Sequence, residues 1–312
     1  MKQGALLNWI CFRKDQRMTG NLLLELLKRK RPLLADGAMG TRLLELGLPS
    51  GTPPELWNEQ APDAVLQVHK SYIEAGSDII LTNSFGAGRR KLARLGLADK
   101  AASLARRAAE LAREAAGDRA AVLGSIGPTG ELLKPLGKLT LKEARESYAE
   151  QAQALAQGGV DALILETFFD LEELKAALVA ALQATDLPIS CSMTFRAGGK
   201  TMMGVSVERF AREIEALGEE RIVLLGANCG AGPKEMEAIA ERLCAAAKRL
   251  PVLAKPNAGQ PKLVEDHTVY EASPRDFAES ARSWIRAGVK VVGGCCGTTA
   301  EHIKALAEVV KG

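Results

Sequence analysis

The chain has 312 residues, of which 47% are hydrophobic and 25% are charged, a composition typical of globular proteins. Its net charge of +3 is too small to indicate binding to nucleic acid or to an anionic membrane, and aromatic residues, at 4%, are too few to stack single strands. No apolar run approaches the roughly 20 residues of a membrane span. Six cysteines in so long a chain do not resemble a secreted disulfide scaffold, so we expect a cytoplasmic protein.

The first 21 residues differ from the rest of the chain. An apolar patch at residues 5–12 is interrupted by Asn8 and lacks the small-residue cleavage site of a signal peptide, and Met18 could be the natural start. We therefore expect residues 1–21 to form an N-terminal extension, which could be disordered. Residues 22–312 contain no linker or low-complexity tract, which favours a single domain.

Eight short apolar runs alternate with stretches of helical period. The runs predict strands at residues 32–39, 78–85, 121–127, 162–168, 188–195, 222–229, 252–257 and 290–295. The alanine-rich stretches that follow them predict helices at residues 62–75, 99–116, 140–157, 171–184, 207–217, 233–249, 274–287 and 299–310. This alternation predicts an α/β fold, a (β/α)8 TIM barrel, with a doubly wound open sheet as the alternative. In a barrel the chemistry would lie at the C-terminal ends of the strands.

Two adjacent cysteines, Cys295 and Cys296, lie among three glycines at the end of the last predicted strand. Neighbouring side chains of a regular strand point to opposite faces, but glycine permits backbone conformations that would let both thiols face one ligand. Cys229 also ends a predicted strand and precedes a glycine. Three thiolates at strand ends predict a zinc site with an open fourth position, as in catalytic rather than structural zinc centres.

Other interpretations of the cysteines stay open at this point. Free cysteine often packs in a core, which suits Cys11, Cys191 and Cys244 because they lie within predicted segments or apolar patches. The adjacent pair could form a vicinal disulfide, although a reducing compartment disfavours one. The glycines could instead cradle a phosphate, but residues 293–299 contain no lysine or arginine to support it.

Two carboxylates at predicted strand ends are further candidates. Asp36 precedes a glycine and either forms a turn or binds a substrate amine. Glu166 ends a very apolar strand, so its charge needs a partner, and we favour a ligand. The histidines lie in predicted helices or a polar loop and are expected at the surface or the core edge: His69, His267 and His302. No Ser–His–Asp set, P-loop or dinucleotide motif is present.

Short motifs at the predicted strand ends resemble those of a known family. They are DGAMGT at 36–41, TNSF at 82–85, GPTG at 127–130, ETF at 166–168, NCG at 228–230, PNAG at 256–259 and GGCCGT at 293–298. In this order they resemble the homocysteine S-methyltransferase family, and most closely the homocysteine-binding module of cobalamin-dependent methionine synthase. The resemblance covers about residues 31–310. It implies a (β/α)8 barrel that transfers a methyl group to the thiol of L-homocysteine, giving methionine.

The resemblance also implies roles for individual residues. Cys229, Cys295 and Cys296 would hold Zn²⁺ and act in catalysis through it, leaving a fourth position for the homocysteine sulfur. Asn257 could fill that position without substrate. The substrate-binding residues expected at the strand ends are Asp36, Gly37, Thr41, Asn83, Glu166 and Asn228. Because zinc deprotonates a bound thiol, the attack on a methyl group would not need a histidine base.

The resemblance leaves several methyl donors to consider. Betaine-using relatives carry an aromatic residue just after the second strand, where this chain has Gly86 and Ala87, and relatives using S-methylmethionine lack an Asn83-type strand end. We therefore expect methylcobalamin, supplied by a corrinoid protein or module that docks on the strand-end face, because the chain has neither a folate barrel nor a DxHxxG motif. A direct sulfonium donor is the first alternative. A zinc- and thiol-binding barrel without turnover is the second.

Overall fold

The computed structural model describes residues 20–264 and 267–311, and eight of its strands form a barrel. These are β1 (Leu33–Leu34), β2 (Ile79–Leu81), β3 (Ala121–Ile126), β4 (Ala162–Phe168), β5 (Ile189–Met193), β6 (Ile222–Asn228), β7 (Val252–Lys255) and β10 (Val289–Val292). An antiparallel hairpin of β8 (Lys262–Val264) and β9 (His267–Val269) is inserted after β7.

The eight strands are parallel, and the first strand closes the ring. In the sheet the order is β1-β10-β7-β6-β5-β4-β3-β2, and a parallel bridge between Ala35 and Ile79 joins the two outermost strands. The Asp78 N–H donates to the Leu34 carbonyl, and the Leu34 N–H donates to the Asp78 carboxylate. The architecture is therefore the predicted (β/α)8 barrel rather than an open sheet.

The helices lie outside the strands, and eight of them are the predicted ones. The described helices are α1 (Leu22–Leu27), α2 (Gly40–Glu45), α3 (Trp57–Gln60), α4 (Pro62–Glu74), α5 (Arg89–Ala93), α6 (Ala101–Ala116), α7 (Leu141–Gln157), α8 (Leu171–Ala184), α9 (Val207–Glu215), α10 (Pro233–Ala246), α11 (Pro274–Arg286) and α12 (Ala300–Lys311). None of them is both long and apolar enough to cross a membrane.

Local sequence explains where several of these helices begin. Thr140 forms a capping box with Glu143 at the start of α7, and Ser206 caps α9 through its hydroxyl. Proline occupies the first position of α4, α10 and α11, where its missing N–H costs nothing. Sequence analysis missed the short helices α1, α2, α3 and α5 and the β8–β9 hairpin, because these segments are too short to show a period.

Apolar side chains fill the barrel at the end opposite the strand C-termini. Leu23 and Leu26 of α1 are buried and cluster with inward-facing strand residues such as Leu33 and Leu224. Helix α1 therefore closes the N-terminal end of the barrel. Its N-cap, Asn21, also donates a hydrogen bond from its side chain to the Asp161 carbonyl. Residues 1–19, which include most of the predicted extension and Cys11, lie outside the described residues.

The histidines depart in part from expectation. His69, predicted at the surface or core edge, is fully buried in α4, and neither ring nitrogen has a hydrogen-bond partner. Burial lowers the pKa of His69 to about 4, so the ring is neutral. His302 packs edge-on against Phe277 at the core edge. The backbone of His267 lies in β9 rather than in an irregular loop.

Candidate metal centre and substrate cavity

A cavity of about 560 Å³ opens at the C-terminal ends of the strands. Its inner part is lined by polar, charged and thiol side chains, and its outer part by segments that follow β1 and β2. The sequence-predicted residues that line it are Asp36, Gly37, Thr41, Asn83, Glu166, Cys229, Cys295 and Cys296. Most of the residues that were predicted as site candidates at the strand ends therefore line one cavity.

Three thiols meet at one edge of this cavity. The sulfur atoms of Cys229, Cys295 and Cys296 all lie within 4.8 Å of one another, although Cys229 is far from the other two along the chain. Sulfurs bound to one tetrahedral zinc at 2.3 Å would be about 3.8 Å apart. The cluster could therefore hold a metal ion with small side-chain movements. All five cysteines of the described chain are free thiols, so the adjacent pair does not form a vicinal disulfide.

Unusual backbone conformations bring the thiols together. Cys229 follows β6 with a φ of +56°, a left-handed conformation that few residues other than glycine adopt. Its N–H donates to the Lys255 carbonyl at 3.0 Å, which ties it to β7. The Cys295 N–H donates to the Pro256 carbonyl at 2.8 Å, and Gly297 turns the chain with a φ of +79°. Backbone strain such as that at Cys229 is typical of functional sites.

Gly37 and Thr41, predicted as substrate contacts, brace the loop that carries the paired cysteines. The Thr298 hydroxyl donates to the Cys295 carbonyl at 2.7 Å and accepts from the Ala38 N–H. A Cβ added at Gly37 would lie 2.8 Å from the Thr298 hydroxyl and from the Tyr72 ring, so only glycine fits there. The Thr41 hydroxyl accepts from the Gly297 N–H at 3.3 Å. The segment that follows β1, with Gly37 and the first turn of α2, therefore positions the cysteine loop.

Hydrogen bonds among the three thiols shift their pKa values in opposite directions. Those from Cys295 and Cys296 lower the pKa of Cys229 far below its ordinary value and raise the pKa values of the two donors. Asn257 also contributes a hydrogen bond to Cys229, while its Oδ1 is buried without a partner. An amide oxygen left free beside three thiols is a further possible metal ligand, as the resemblance implied for Asn257.

Asp36 and Lys255 form a buried ion pair at the base of the cavity. Their side chains are 4% and 3% exposed, and Lys255 Nζ lies 2.6 Å from Asp36 Oδ1. The other carboxylate oxygen of Asp36 accepts from the Leu81 N–H at 2.7 Å. Burial raises the pKa of Asp36 despite the attraction of Lys255. Burial alone would lower the pKa of Lys255, but Asp36 and Glu166 together raise it, so the lysine is charged.

Glu166 is the second buried carboxylate of the cavity. Its Oε1 accepts a hydrogen bond from the Ser125 hydroxyl at 2.5 Å, and its Oε2 lies 3.5 Å from the Asn228 amide nitrogen. The next residue, Thr167, has a φ of +65° and holds Asn228 through its N–H and hydroxyl. Burial raises the pKa of Glu166, while Lys255 and Ser125 oppose the rise. Oε2 therefore has capacity for a further donor.

Asn83 lines the cavity, but its side chain is already engaged. Its amide nitrogen donates to the Pro54 carbonyl and to the Asn58 side chain, and the Asn58 amide donates back to the Asn83 carbonyl. This network joins the end of β2 to the segment before α3. A structural role explains these contacts, and the predicted substrate contact of Asn83 stays a prediction.

The outer cavity contains a second pair of opposite charges. Glu55 is 4% exposed and accepts from the Gly86 N–H, and burial raises the pKa of its carboxyl group. Lys91 lies above the Phe85 ring, with Nζ 4.3 Å from the ring centroid. Burial lowers the pKa of Lys91, while Glu55 opposes the fall. The face of Phe85 that could attract a cationic ligand is therefore occupied by a lysine of the chain itself.

Sequence reasoning missed Lys255, Ser125 and Glu55. Lys255 ends an otherwise apolar strand, a signal as strong as the one that identified Glu166 at the end of β4. Ser125 is a polar residue within an apolar strand. Glu55 follows two prolines in a segment without periodicity, so nothing in the local sequence indicates its burial.

Known proteins are similar in sequence to this chain over most of its length. A family model described as homocysteine S-methyltransferase matches residues 33–310. The methionine synthase of Mycobacterium leprae is 35% identical over 306 residues, which cover 92% of this chain and 25% of that protein. The methionine synthase of Mycobacterium tuberculosis is 33% identical over 314 residues, covering 95% and 26%. The chain thus spans about a quarter of the length of these relatives.

A solved structure matches over nearly its whole length. The metallated form of the homocysteine methyltransferase MmuM from Escherichia coli aligns with a TM-score of 0.77 at 25% identity, covering 92% of this chain and 99% of MmuM. Its oxidised form aligns with a TM-score of 0.76 at 26% identity. Fold, family model and relatives agree, and the chain therefore belongs to the homocysteine S-methyltransferase family of enzymes.

Proposed function

We propose that the protein transfers a methyl group to the thiol of L-homocysteine in a zinc-dependent reaction that yields methionine. The observation that carries this proposal is the cluster of three thiols beside a cavity whose inner wall carries Asp36, Glu166 and Lys255. Thiols suit a soft metal and a sulfur substrate, and opposite charges suit an α-amino acid. Family membership supports the same reaction.

The donor set fits zinc. Cys229, Cys295 and Cys296 would hold the ion, and the free Oδ1 of Asn257 is a candidate for the fourth ligand when no substrate is bound. When bound, zinc would keep the substrate sulfur in its deprotonated, nucleophilic form near neutral pH. MmuM, which aligns with this chain, has a metallated form, and this supports a metal at the thiol cluster.

The chain itself would orient the substrate. Glu166 lines the cavity, with its Oε1 held by the Ser125 hydroxyl and its Oε2 in only a long contact of 3.5 Å with the Asn228 amide, so Oε2 can accept a further donor. An ammonium group would bind there, which fixes the direction of the amino acid. Orientation of sulfur and methyl group contributes a large part of the rate in reactions of this kind.

The chemistry is a displacement at carbon. Homocysteine loses its thiol proton to solvent water, its sulfur forms a bond to the methyl carbon, and the bond between the methyl group and the donor breaks. The electron pair of that bond stays with the donor, which leaves as a reduced corrinoid or as a neutral thioether. No oxidant and no histidine base are needed.

We propose that the donor is methylcobalamin carried by a corrinoid protein or module that docks over the cavity. The supporting observation is the position of the exposed large hydrophobic residues. Within the described chain, all of them except Leu217 lie between the C-terminal end of a barrel strand and the first residue of the next outer helix. They are Leu44, Leu46, Leu95, Leu132, Leu136, Leu141, Met202, Met203, Leu263 and Val269. Scattered apolar residues are ordinary, but a concentration on one face indicates a binding surface. The relatives named methionine synthase support this donor.

A direct sulfonium donor is the second candidate, and Glu55 favours it. A buried carboxylate in the outer cavity could offset the positive charge of a sulfonium group. Lys91, a cation in the same part of the cavity, opposes this donor by repulsion.

Product analysis separates the candidates. Zinc-loaded protein would be incubated with homocysteine and either methylcobalamin or S-methylmethionine, and methionine would be quantified by mass spectrometry. We expect methionine from methylcobalamin, at a rate that rises when a corrinoid protein carries the cofactor. Methionine from the sulfonium donor alone would replace our first proposal by the second. Zinc and homocysteine binding without product from any donor would leave a binding protein without turnover.

A further inference from the structure

Tyr270 follows the β8–β9 hairpin and packs against the loop that carries the paired cysteines. A Cβ added at Gly297 would overlap the Tyr270 ring, so the ring lies directly on the backbone next to Cys296. Tyr270 is half-buried, and among the described residues it is not part of the cavity wall, whereas Cys296 is. The ring therefore reaches the cysteine loop from outside the cavity.

Backbone hydrogen bonds fix the segment that follows the ring. The Ala272 N–H donates to the Ala258 carbonyl at 2.9 Å, and the Ala258 N–H donates to the Cys296 carbonyl at 2.9 Å. The Ala272 carbonyl in turn accepts from His302 Nε2 at 2.9 Å. Tyr270, two residues before Ala272, is therefore held beside Cys296 by the fold around it.

The Tyr270 hydroxyl donates a hydrogen bond to the sulfur of Cys296. Burial raises the pKa of the Tyr270 phenol, and the neighbouring Cys296 raises it further, so the hydroxyl keeps its proton and donates. A hydrogen bond from a hydroxyl to a thiolate is charge-assisted and draws electron density from the sulfur. Cys229 also accepts hydrogen bonds from the chain, from the Gly230 N–H and from Asn257.

The proposed reaction places the thiolates of the chain beside that of the substrate. Metal binding deprotonates every thiol of the site, and not only the substrate thiol. Methyl transfer to a cysteine would convert it into a thioether, which is no longer an anionic ligand, and would damage the site. The site therefore needs to make its own sulfurs less nucleophilic than the sulfur of homocysteine.

We propose that the Tyr270 hydroxyl lowers the nucleophilicity of Cys296, so that the methyl group is transferred to the substrate sulfur and not to this ligand. Tyr270 is a positioning residue, because it acts through Cys296 and lies outside the cavity. The same hydrogen bond stabilises the thiolate as a zinc ligand. This inference rests on the proposed function, because it concerns the same metal centre.

Alkylation of the protein in saturating zinc and without substrate tests this inference. With iodomethane, a cysteine sulfur forms a bond to the methyl carbon, and iodide leaves with the electron pair of the carbon–iodine bond. Fragment-ion mass spectrometry then gives the methylated fractions of Cys295 and Cys296 separately. In Tyr270→Phe, which keeps the ring without the hydroxyl, we expect Cys296 to react about 5- to 10-fold faster relative to Cys295. Zinc affinity, measured by competition with a chelator, should fall by about 10-fold.

A second tyrosine provides the matched control. Tyr148 is buried, and its hydroxyl donates to Glu173 Oε1 at 2.8 Å. Tyr148→Phe should leave both the methylation ratio and the zinc affinity unchanged. Cys295 and Cys296 are neighbours on one loop, so a variant that merely loosens this loop would raise both methylation rates and leave their ratio as in wild type.

The outcomes distinguish this inference from the proposed function. If wild type binds zinc and Tyr270→Phe keeps the wild-type ratio of Cys296 to Cys295 methylation, the inference is overturned whatever the zinc affinity, while the proposed function stands. A ratio raised equally in Tyr148→Phe would also overturn it. If wild type does not bind zinc, the proposed function and this inference fail together. A ratio raised in Tyr270→Phe alone supports the inference.

Discussion

Buried charged side chains have different numbers of hydrogen-bond partners at the two ends of the barrel. At the N-terminal end, Asp78 accepts hydrogen bonds from both terminal nitrogens of Arg31 and from the Leu34 N–H. Asp161, which precedes β4, accepts in the same way from Arg113 and from the Val122 N–H. Each carboxylate thus has an arginine and a backbone donor from a neighbouring strand. These groups are satisfied by the fold itself, and their role is to join strands.

At the C-terminal end the polar groups have fewer partners than they can use. Lys255 makes one hydrogen bond, one oxygen of Glu166 has only a long contact, and Asn257 Oδ1 has none among the described residues. Burying such groups is costly unless something pairs with them. The difference teaches that, among buried charged side chains, missing partners rather than the presence of charge distinguish the functional end of this barrel, although the uncharged side chains of His69, Ser77 and Ser190 also have buried atoms without partners. Five predictions test the distinction, in order of decreasing effect.

Replacing a metal-binding thiol should have the largest effect. Cys295→Ser removes one of three sulfurs, and we expect zinc affinity to fall by more than about 100-fold, with loss of methionine formation. Zinc content after dialysis, measured by atomic absorption, checks this. Cys244→Ser, in the half-buried thiol of α10, is the matched control and should keep its zinc. A zinc-replete, active Cys295→Ser protein would refute the ligand assignment.

Removing the charge of Glu166 should affect substrate binding but not metal content. In Glu166→Gln the ammonium group loses an ionic partner, and we expect homocysteine to bind about 10- to 100-fold more weakly. The dissociation constant by calorimetry and the zinc content measure the two effects separately. Unchanged affinity would remove Glu166 from the substrate site and would weaken the contrast between the two ends.

Removing a charge at the N-terminal end should destabilise the fold without changing ligand binding. Asp78→Asn replaces the carboxylate that joins β1 to β2, and we expect the free energy of unfolding to fall by about 1.5–3 kcal/mol. Urea denaturation measures this, with the exposed Asp118→Asn as control. A change in homocysteine affinity equal to that of Glu166→Gln would contradict the division of roles between the ends.

The contribution of Asp78 should also depend on pH. Burial alone would raise the pKa of Asp78, but hydrogen bonds from Arg31 and Leu34 lower it below its ordinary value. A carboxylate with a lowered pKa in the folded state stabilises above the unfolded-state pKa, about 3.9, and this stabilisation is lost as the pH falls through the folded-state pKa. The stability difference between wild type and Asp78→Asn should therefore be constant from pH 5 to 7, roughly, and shrink in more acidic solution. A difference that grows in acid would have the wrong sign.

The smallest expected effect is that of replacing Thr140. It tests whether a residue's position at the C-terminal end of the barrel is enough to imply a role in function. Thr140 lies on that side of the barrel, but its capping box with Glu143 satisfies the first turn of α7. Thr140→Ala should lower the free energy of unfolding by about 1 kcal/mol and leave zinc and homocysteine affinities unchanged. Thermal unfolding and calorimetry check both expectations. A larger loss of ligand affinity than of stability would show that missing hydrogen-bond partners do not identify every functional residue at this end.

Much of the barrel and the placement of its thiols could be predicted from the sequence. Strands of four or more residues agree closely with their apolar runs, as β4 does with residues 162–168. The first strand is shorter than predicted: it was expected at residues 32–39 and spans Leu33–Leu34. Beyond Ala35 the backbone leaves the sheet, and Asp36 binds the Leu81 N–H through its side chain. Composition alone does not distinguish such an exit from a strand.

The alternation of apolar and helical segments by itself determined a fold of parallel strands, because connections through helices bring the C-terminal ends of such strands to one face. That geometry was enough to predict that Cys229 would meet Cys295 and Cys296. The tertiary structure decided that the sheet closes into a barrel, through the bridge between Ala35 and Ile79. Only the tertiary structure decided which polar groups pair and which stay available. Lys255 and Asp36 are 219 residues apart, and their contact depends on side-chain directions across strands that no local pattern records.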